Sequence, residues 1–309
     1  MSNSHYNIKN YQPADFNKYT QLIYVAEKLE PTGRCVSPQA VTEKLGRPNY
    51  SPEQDLFIVE IAGNVIGYMD VTPEMIIKRI ILDCWIHPEH RRRGLATKLL
   101  AHGTRRAQEL RARVAHVNIP DDNTIAKMVL SRLGFNSVRH FLELRLDMVE
   151  VRLPGIDRVV AGCRYLRRGE EDKLAKIQNR AFMGTWGYNP NTVEEIIYFT
   201  NLSNCSTEDV ILACDGDKVI GYCWTGTIYE EGDAGRRNAR IFMLGADPDY
   251  RGRGAGKRAL LGGLAHLKSK GLRVVELTVD SENKVACALY QSIGFEVWTG
   301  SLWYEKHIY

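Results

Sequence analysis

Residues 87 to 135 recur at 247 to 295, without a gap, at a constant offset of 160. Pro88/Pro248, Arg91/Arg251, Arg93/Arg253, Gly94/Gly254, Leu100/Leu260, Gly103/Gly263, Arg113/Arg273, Val114/Val274, Asn123/Asn283, Ala126/Ala286, Gly134/Gly294 and Phe135/Phe295 coincide. Several of these are glycines and arginines of one turn, which two amphipathic helices aligned by chance do not provide. The chain is therefore two copies of one fold. An upstream pattern, Val65-Ile66-Gly67-Tyr68, also recurs as Val219-Ile220-Gly221-Tyr222, but at an offset of 154. The offsets differ by six, so the second copy carries six extra residues, expected between Thr227 and Arg240.

A chain of 309 residues suits two domains, each able to bury its own core. The boundaries read from the repeat are 1–150 and 151–309, with the join near Val151 to Val160, where Pro154-Gly155 breaks any continuous element. A formal charge of +4 leaves no nucleic-acid footprint. Basic residues cluster instead as His90-Arg91-Arg92-Arg93 and Arg236-Arg237, which suits a small polyanion. With no long apolar run and no signal-like start, the chain reads as cytoplasmic, without a membrane partner, as a monomer or homodimer. The 7 cysteines form no C-x-x-C pair; reduced core thiols are expected, and no metal site.

Apolar spacing predicts helices over Asp15 to Leu29, Gly94 to Arg111 and Asn123 to Leu133, and strands over Asp55 to Ile61, Val65 to Val71, Ile77 to Ile86 and Val114 to Ile119. Phe135 to Leu146 reads as two further short strands. The second copy repeats the order: helices Glu170 to Phe182 and near Thr192 to Thr200, hairpin Val210 to Trp224, strand Ile241 to Ala246, helix Gly254 to Lys270, strand Val274 to Val279, helix Asn283 to Ile293, and terminal strands. The fold class implied is α/β (α+β, with a mixed sheet), twice.

Asp247 to Lys257 lies between a buried strand and a helix, and its glycines clear side chains from the approach to backbone amides and a helix N-terminus. A phosphate or pyrophosphate is the natural occupant. A Walker A loop would need a hydroxyl residue where Arg258 follows Gly256-Lys257. A dinucleotide fingerprint would need a third glycine where Lys257 stands. A purely structural turn does not explain the second instance at Arg91-x-x-Gly94-x-Ala96.

Arg251-x-x-Gly254-x-Gly256 after one strand, then Asn283-x-x-Ala286-x-x-Leu289-Tyr290-x-x-x-Gly294-Phe295 after the next, resembles the acyl-CoA signature of the GNAT superfamily of N-acetyltransferases. The first copy matches through Arg91-x-x-Gly94-x-Ala96, Asn123-x-x-Ala126 and Gly134-Phe135. The resemblance covers nearly the whole chain and implies two tandem GNAT acyl-CoA N-acyltransferase domains using acetyl-CoA. It assigns Leu244 and Ala246 to pantetheine, and Arg251, Gly252, Arg253, Gly254, Ala255, Gly256 and Lys257 to pyrophosphate. The first-copy set is Cys84 and Ile86, with Arg92, Arg93, Gly94, Leu95, Ala96 and Thr97. Asn283, next to Ala286 in the cofactor motif, either contacts pantetheine or caps its helix.

The resemblance also makes Tyr290 the proton donor to the leaving thiolate, and its first-copy counterpart, Leu130, has no proton to give. The second copy is thus expected to be catalytic and the first degenerate. The strand ahead of the turn, Ile241 to Ala246, has no carboxylate, whereas the first copy has Asp83 opposite Met243. Candidates for a general base are Glu230, Glu231 and Asp233 in the inserted loop, Glu231 foremost, and Glu276 or Asp280. The tandem architecture is similar to a branch that acetylates a cysteinyl pseudo-disaccharide amine, where a glutamate is expected at the place of Arg240. Trp186 and Tyr188 are candidate walls for a small-molecule amine acceptor such as a cysteinyl sugar or aminoglycoside. A peptide N-acetyltransferase and a non-enzymatic acyl-CoA sensor are the alternatives.

Overall fold

The computed structural model describes residues 6–32, 36–149, 151, 160–229 and 237–309. Its strands are β1 (Asn7–Asn10), β2 (Leu56–Ile61), β3 (Asn64–Glu74), β4 (Arg79–Ile86), β5 (Val114–Pro120), β6 (Asn136–Asp147), β7 (Cys163–Tyr165), β8 (Val210–Asp215), β9 (Lys218–Tyr229), β10 (Arg237–Ala246), β11 (Val274–Asp280) and β12 (Glu296–His307). The chain divides into two units, Met1–Arg139 with Ser301–Tyr309, and His140–Gly300. This division by contacts differs from the division at 150/151 expected from the repeat, because the last strands are exchanged. Neither Phe135 to Leu146 nor the C-terminal stretch breaks into two short strands; each copy ends in one long strand, β6 or β12. No proline and no turn pair interrupts either run, so the extended backbone continues.

In the first unit the strands run β1-β2-β3-β4-β5, and Ser301–His307 of β12 completes the sheet against β5. In the second the order is β7-β8-β9-β10-β11, completed by Phe141–Asp147 of β6 against β11. Each sheet is thus finished by the last strand of the other copy. Within each unit these pairings are antiparallel except β4 with β5 and β10 with β11.

Both faces of each sheet are covered, which is why β2 reads as a continuous apolar run and not as an alternation. Leu56 and Ile58 pack with Tyr19 and Leu22 of helix Phe16–Leu29. Phe57 and Val59 pack with Leu95 and Leu99 of helix Leu95–Glu109. The second unit repeats this with Leu212 and Tyr222 under helix Glu171–Phe182, and Ala213 and Cys223 under helix Ala255–Ser269. The repeated glycines Gly103 and Gly263 sit inside these helices where they touch the sheet. A Cβ there would come within 2.8 Å of Met69 Sδ and 2.4 Å of Cys223 Sγ respectively. Close helix-to-sheet approach is the reason that pair is glycine twice.

Elements that the periodicity did not announce include β1, β7, helix Pro38–Leu45 capped by Ser37, the helical turn Pro52–Asp55, and a 3-10 turn Met75–Ile77 that delays the start of β4. The described cysteines are free, but only Cys223 is fully buried and Cys84 is exposed, so the expectation of core thiols holds in part. Cys35, Pro154-Gly155, Glu230, Glu231, Asp233 and Arg236 lie outside the described residues.

Candidate active site

The parallel strands of each copy pair only briefly. β4 meets β5 over Arg79–Ile81, and β10 meets β11 over Ala239–Ile241. Beyond these residues the two strands of each pair are no longer in register, and the backbone edge leading to Ile86 or Ala246 lacks a ladder partner on that side. An unpaired strand edge is a template for an extended, amide-containing ligand. Cys84 and Ile86, and Leu244 and Ala246, lie on these edges, where the sequence placed them.

The two edges differ in one respect. β4 runs against β3 in unbroken register, whereas β10 shifts register against β9 between Ile241 and Met243. Phe242 is therefore an extra residue, a β-bulge, and it stands 46% exposed. Ahead of it Ile81 corresponds to Arg240, and behind it Asp83 corresponds to Met243, as their partners on β3 and β9 show. Of the six extra residues, one is thus Phe242, outside the interval Thr227 to Arg240 that the sequence suggested. Bulges re-aim side chains and end ladder pairing, and they are enriched beside active sites.

After each edge comes the turn. Gly94 and Gly254 have φ of +74° and +83° and cap the following helices, and nothing lies within 4 Å of a Cβ built on either. Ahead of them Gly252 has φ +71° and its counterpart Arg92 φ +60°. The two turns share one backbone path, although an arginine occupies the left-handed position in the first. The first-turn amides of Ala255, Gly256 and Lys257, like those of Leu95, Ala96 and Thr97, have no partner inside their helices. Together with the exposed side chains of Arg253 and Lys257, or Arg92 and Arg93, they form a cradle for an anion. At Gly256 a Cβ would meet only Ala246 and Leu289 at 3.8 Å, so the alanine of the first copy, Ala96, fits the same role.

The first arginine of each turn faces away from that cradle. Arg91 makes a bidentate pair with Glu30, at 2.8 and 2.7 Å, and donates to the Ile86 carbonyl. The Arg91 guanidinium holds the Glu30 carboxyl below the usual carboxylate range. Arg251 donates to the carbonyl of Ala181 at 2.6 Å, and Arg180 reaches back to Asp247 at 2.9 Å and Asp249 at 3.0 Å. In both copies the turn is tied to the end of the first helix, with opposite charges at the helix end. Arg251 is thus anchored through its side chain to the end of the first helix.

Tyr290 is 6% exposed and Leu130 8%, at matching places in their cores. Burial pushes the Tyr290 phenol well above its ordinary range, so it carries its proton at neutral pH, as an acid must and a base must not. Its ring meets Phe295 edge-on at 5.7 Å. Asn283 accepts from the Ala286 amide at 3.1 Å, and Asn123 from the Ala126 amide at 2.9 Å. Both are helix caps, and Ala286 takes part through its backbone.

Of the candidate bases, Glu276 is bound by Arg145 at 2.5 Å, and Asp280 accepts from the Glu282 amide at 3.0 Å. Arg240 pairs with Glu143 at 3.0 Å and with the Thr278 hydroxyl. Asp83 accepts from the Tyr68 hydroxyl at 3.1 Å. Half-buried Tyr188 stacks on Phe182 and donates to Asn179 at 2.8 Å, while Trp186 lies 6.0 Å from Phe141. Periodicity overlooked Glu30, Arg180, Phe242 and the β6 residues Glu143 and Arg145. Only the step from offset 154 to offset 160 hinted at Phe242.

A family model described as the acetyltransferase (GNAT) family matches residues 23–135 and again 172–295. The chain is 29% identical over 285 residues to a mycothiol acetyltransferase of Amycolatopsis mediterranei, covering 87% of this chain and 92% of that protein. Among solved structures, a GCN5-related N-acetyltransferase from Sphaerobacter thermophilus superposes with a TM-score of 0.71 at 22% identity, over 98% of this chain and 96% of the other. A tandem GNAT protein from the clavulanic acid biosynthesis pathway gives 0.68 at 15% identity, over 99% of each chain. These two likenesses concern the fold.

Proposed function

The chain belongs to the GNAT acetyltransferase family, twice over, and on that premise we propose that its second copy acetylates a primary amine of a small molecule with acetyl-CoA. The first copy is then a partner that keeps an acyl-CoA turn without the chemistry. The observation that carries this reading is the combination, in the second unit alone, of an open anion cradle, a bulged strand edge and a protonated Tyr290.

The acetyl-CoA thioester would supply the activated acetyl group. The cradle from Gly252 to Lys257 holds phosphate, and the edge through Leu244 and Ala246 offers backbone partners to an amide-containing arm. Tyr290 holds its proton at neutral pH and would give it to the departing thiolate. No carboxylate of β10 takes the proton of the attacking amine, so that proton leaves through water or through the inserted loop holding Glu231. The acceptor class suggested by relatives of the kind named above is a cysteinyl-sugar amine. The Arg240–Glu143 pair at the start of β10 is the feature expected to set this chain's preference among such amines. Free thiols, Cys84 exposed among them, suit a reducing compartment such as the cytoplasm.

The test is thiol release from acetyl-CoA against cysteinyl glycosides, aminoglycosides, polyamines and N-terminal peptides. Turnover confined to one small-molecule class supports the reading and names the acceptor. Turnover on peptides alone overturns the small-molecule assignment, and CoA binding with no turnover on any amine favours a sensor.

A further inference from the structure

The turn of the first copy begins with a group that the second copy lacks. His87, Glu89 and His90 lie on the 3-10 turn Pro88–His90 and the residue before it, and they bring one ligand atom each within 4.8 Å of one another. At the offset of 160 their counterparts are Asp247, Asp249 and Tyr250, two of which are engaged by Arg180. The group in the first copy has no such arginine. The adjacent Arg91 pairs with Glu30, and Arg93 lies against the Tyr6 ring at 5.9 Å.

We propose that His87, Glu89 and His90 form a site for one borderline divalent transition-metal ion, Zn²⁺ or Co²⁺ in class, beside the phosphate turn of the first copy. Two imidazoles and a carboxylate are the donor set such ions take, and three protein ligands leave a coordination position open. The surroundings are those that orient metal-bound histidines. The Tyr6 hydroxyl sits 3.1 Å from Nδ1 of His90, leaving Nε2 for the ion, and an outer partner of this kind fixes the ring and its tautomer. The Trp85 ring meets His87 edge-on at 6.0 Å, and the rings of His87 and His90 lie 5.8 Å apart. Pro88 presets the short turn that carries all three. The site neither belongs to the acetyl-transfer chemistry nor depends on it.

Tag-free full-length protein, stripped with chelator, is titrated with Co²⁺ and followed by its visible d–d absorption and by calorimetry. The expected result is one equivalent bound and displaced by Zn²⁺, with affinity reduced in His90→Ala and in His87→Ala by more than the roughly 10- to 100-fold that loss of an outer-shell partner costs. Circular dichroism of the variants should match the parent, since the turn is partly exposed. One equivalent that persists in the double variant His87→Ala/His90→Ala overturns the assignment, as does the absence of any band at millimolar Co²⁺.

Discussion

The two copies share a backbone more closely than they share chemistry. Their turns trace one path, yet Arg92 occupies a left-handed position that Gly252 fills without strain. A bulge between β2 and β3 at Val59/Glu60 recurs between β8 and β9 at Ala213/Cys214, whereas the bulge at Phe242 has no counterpart in β4. Asp55 binds Arg106 at 2.7 Å, and at the same place Asp209 binds Lys270 at 2.5 Å and His266 at 3.3 Å. Packing positions have been kept or replaced by equivalents, while positions that hold a proton or bend an edge differ. The shared fold does not separate the two copies; the bulge and the phenol do, and on the proposed function they mark the second as the active one.

The largest effect that would break this contrast is on Tyr290. Tyr290→Phe should lower turnover by about 100-fold or more, in the range for loss of a general acid, with CoA affinity unchanged. Leu130→Tyr should leave turnover as it is. Steady-state thiol release and calorimetry on the two variants check this, and an undiminished rate in Tyr290→Phe removes the residue from its role.

Next come the turns. Gly254→Val forces a β-branched residue into a left-handed backbone, a strain of about 1–3 kcal/mol, so CoA binding in the second copy should weaken at least tenfold. Because no atom lies near that Cβ, the loss reports the backbone alone. Gly94→Val should spare turnover and remove a binding event only if the first copy holds CoA, which calorimetric stoichiometry reads.

Asp209 sharpens the comparison of the supporting contacts. Burial by itself would raise its carboxyl, but hydrogen bonds from His266 and Lys270 bring it down to about 2. Its folded value lies below its unfolded one, so its contribution is complete above about pH 4 and is lost as pH falls towards about 2. Asp209→Asn should cost about 2 kcal/mol at neutral pH and flatten that acid limb in denaturation measured against pH. The smallest effect is a gain: Arg92→Gly should stabilise the first copy by about 1 kcal/mol in chemical denaturation, by relieving the left-handed arginine.

Much of this was legible beforehand. Alternating and periodic apolar residues announced the helices and strands on which the turns sit, and the glycines of the turns identified the anion cradle because only backbone conformation demands them. Asn283 left two roles open, and the Ala286 amide chose the cap. The motif recorded that Arg251 is present and not what its side chain touches, and its bond to the Ala181 carbonyl came only from the tertiary structure. For Trp186 and Tyr188 the sequence left an acceptor wall and aromatic packing equally open, and the stacking of Tyr188 on Phe182 is compatible with both.

By itself the sequence determined the duplication, the two turns and the asymmetry of Tyr290 and Leu130. These depend on local conformation and on residue identity at a fixed offset, both of which a linear chain displays. Only the tertiary structure decided that β6 and β12 each complete the other copy's sheet, that Phe242 is a bulge, and that Glu30 and Arg180 anchor the turns. Those facts rest on pairings between residues far apart in the chain, where strand register and side-chain partners are set by how the whole core packs.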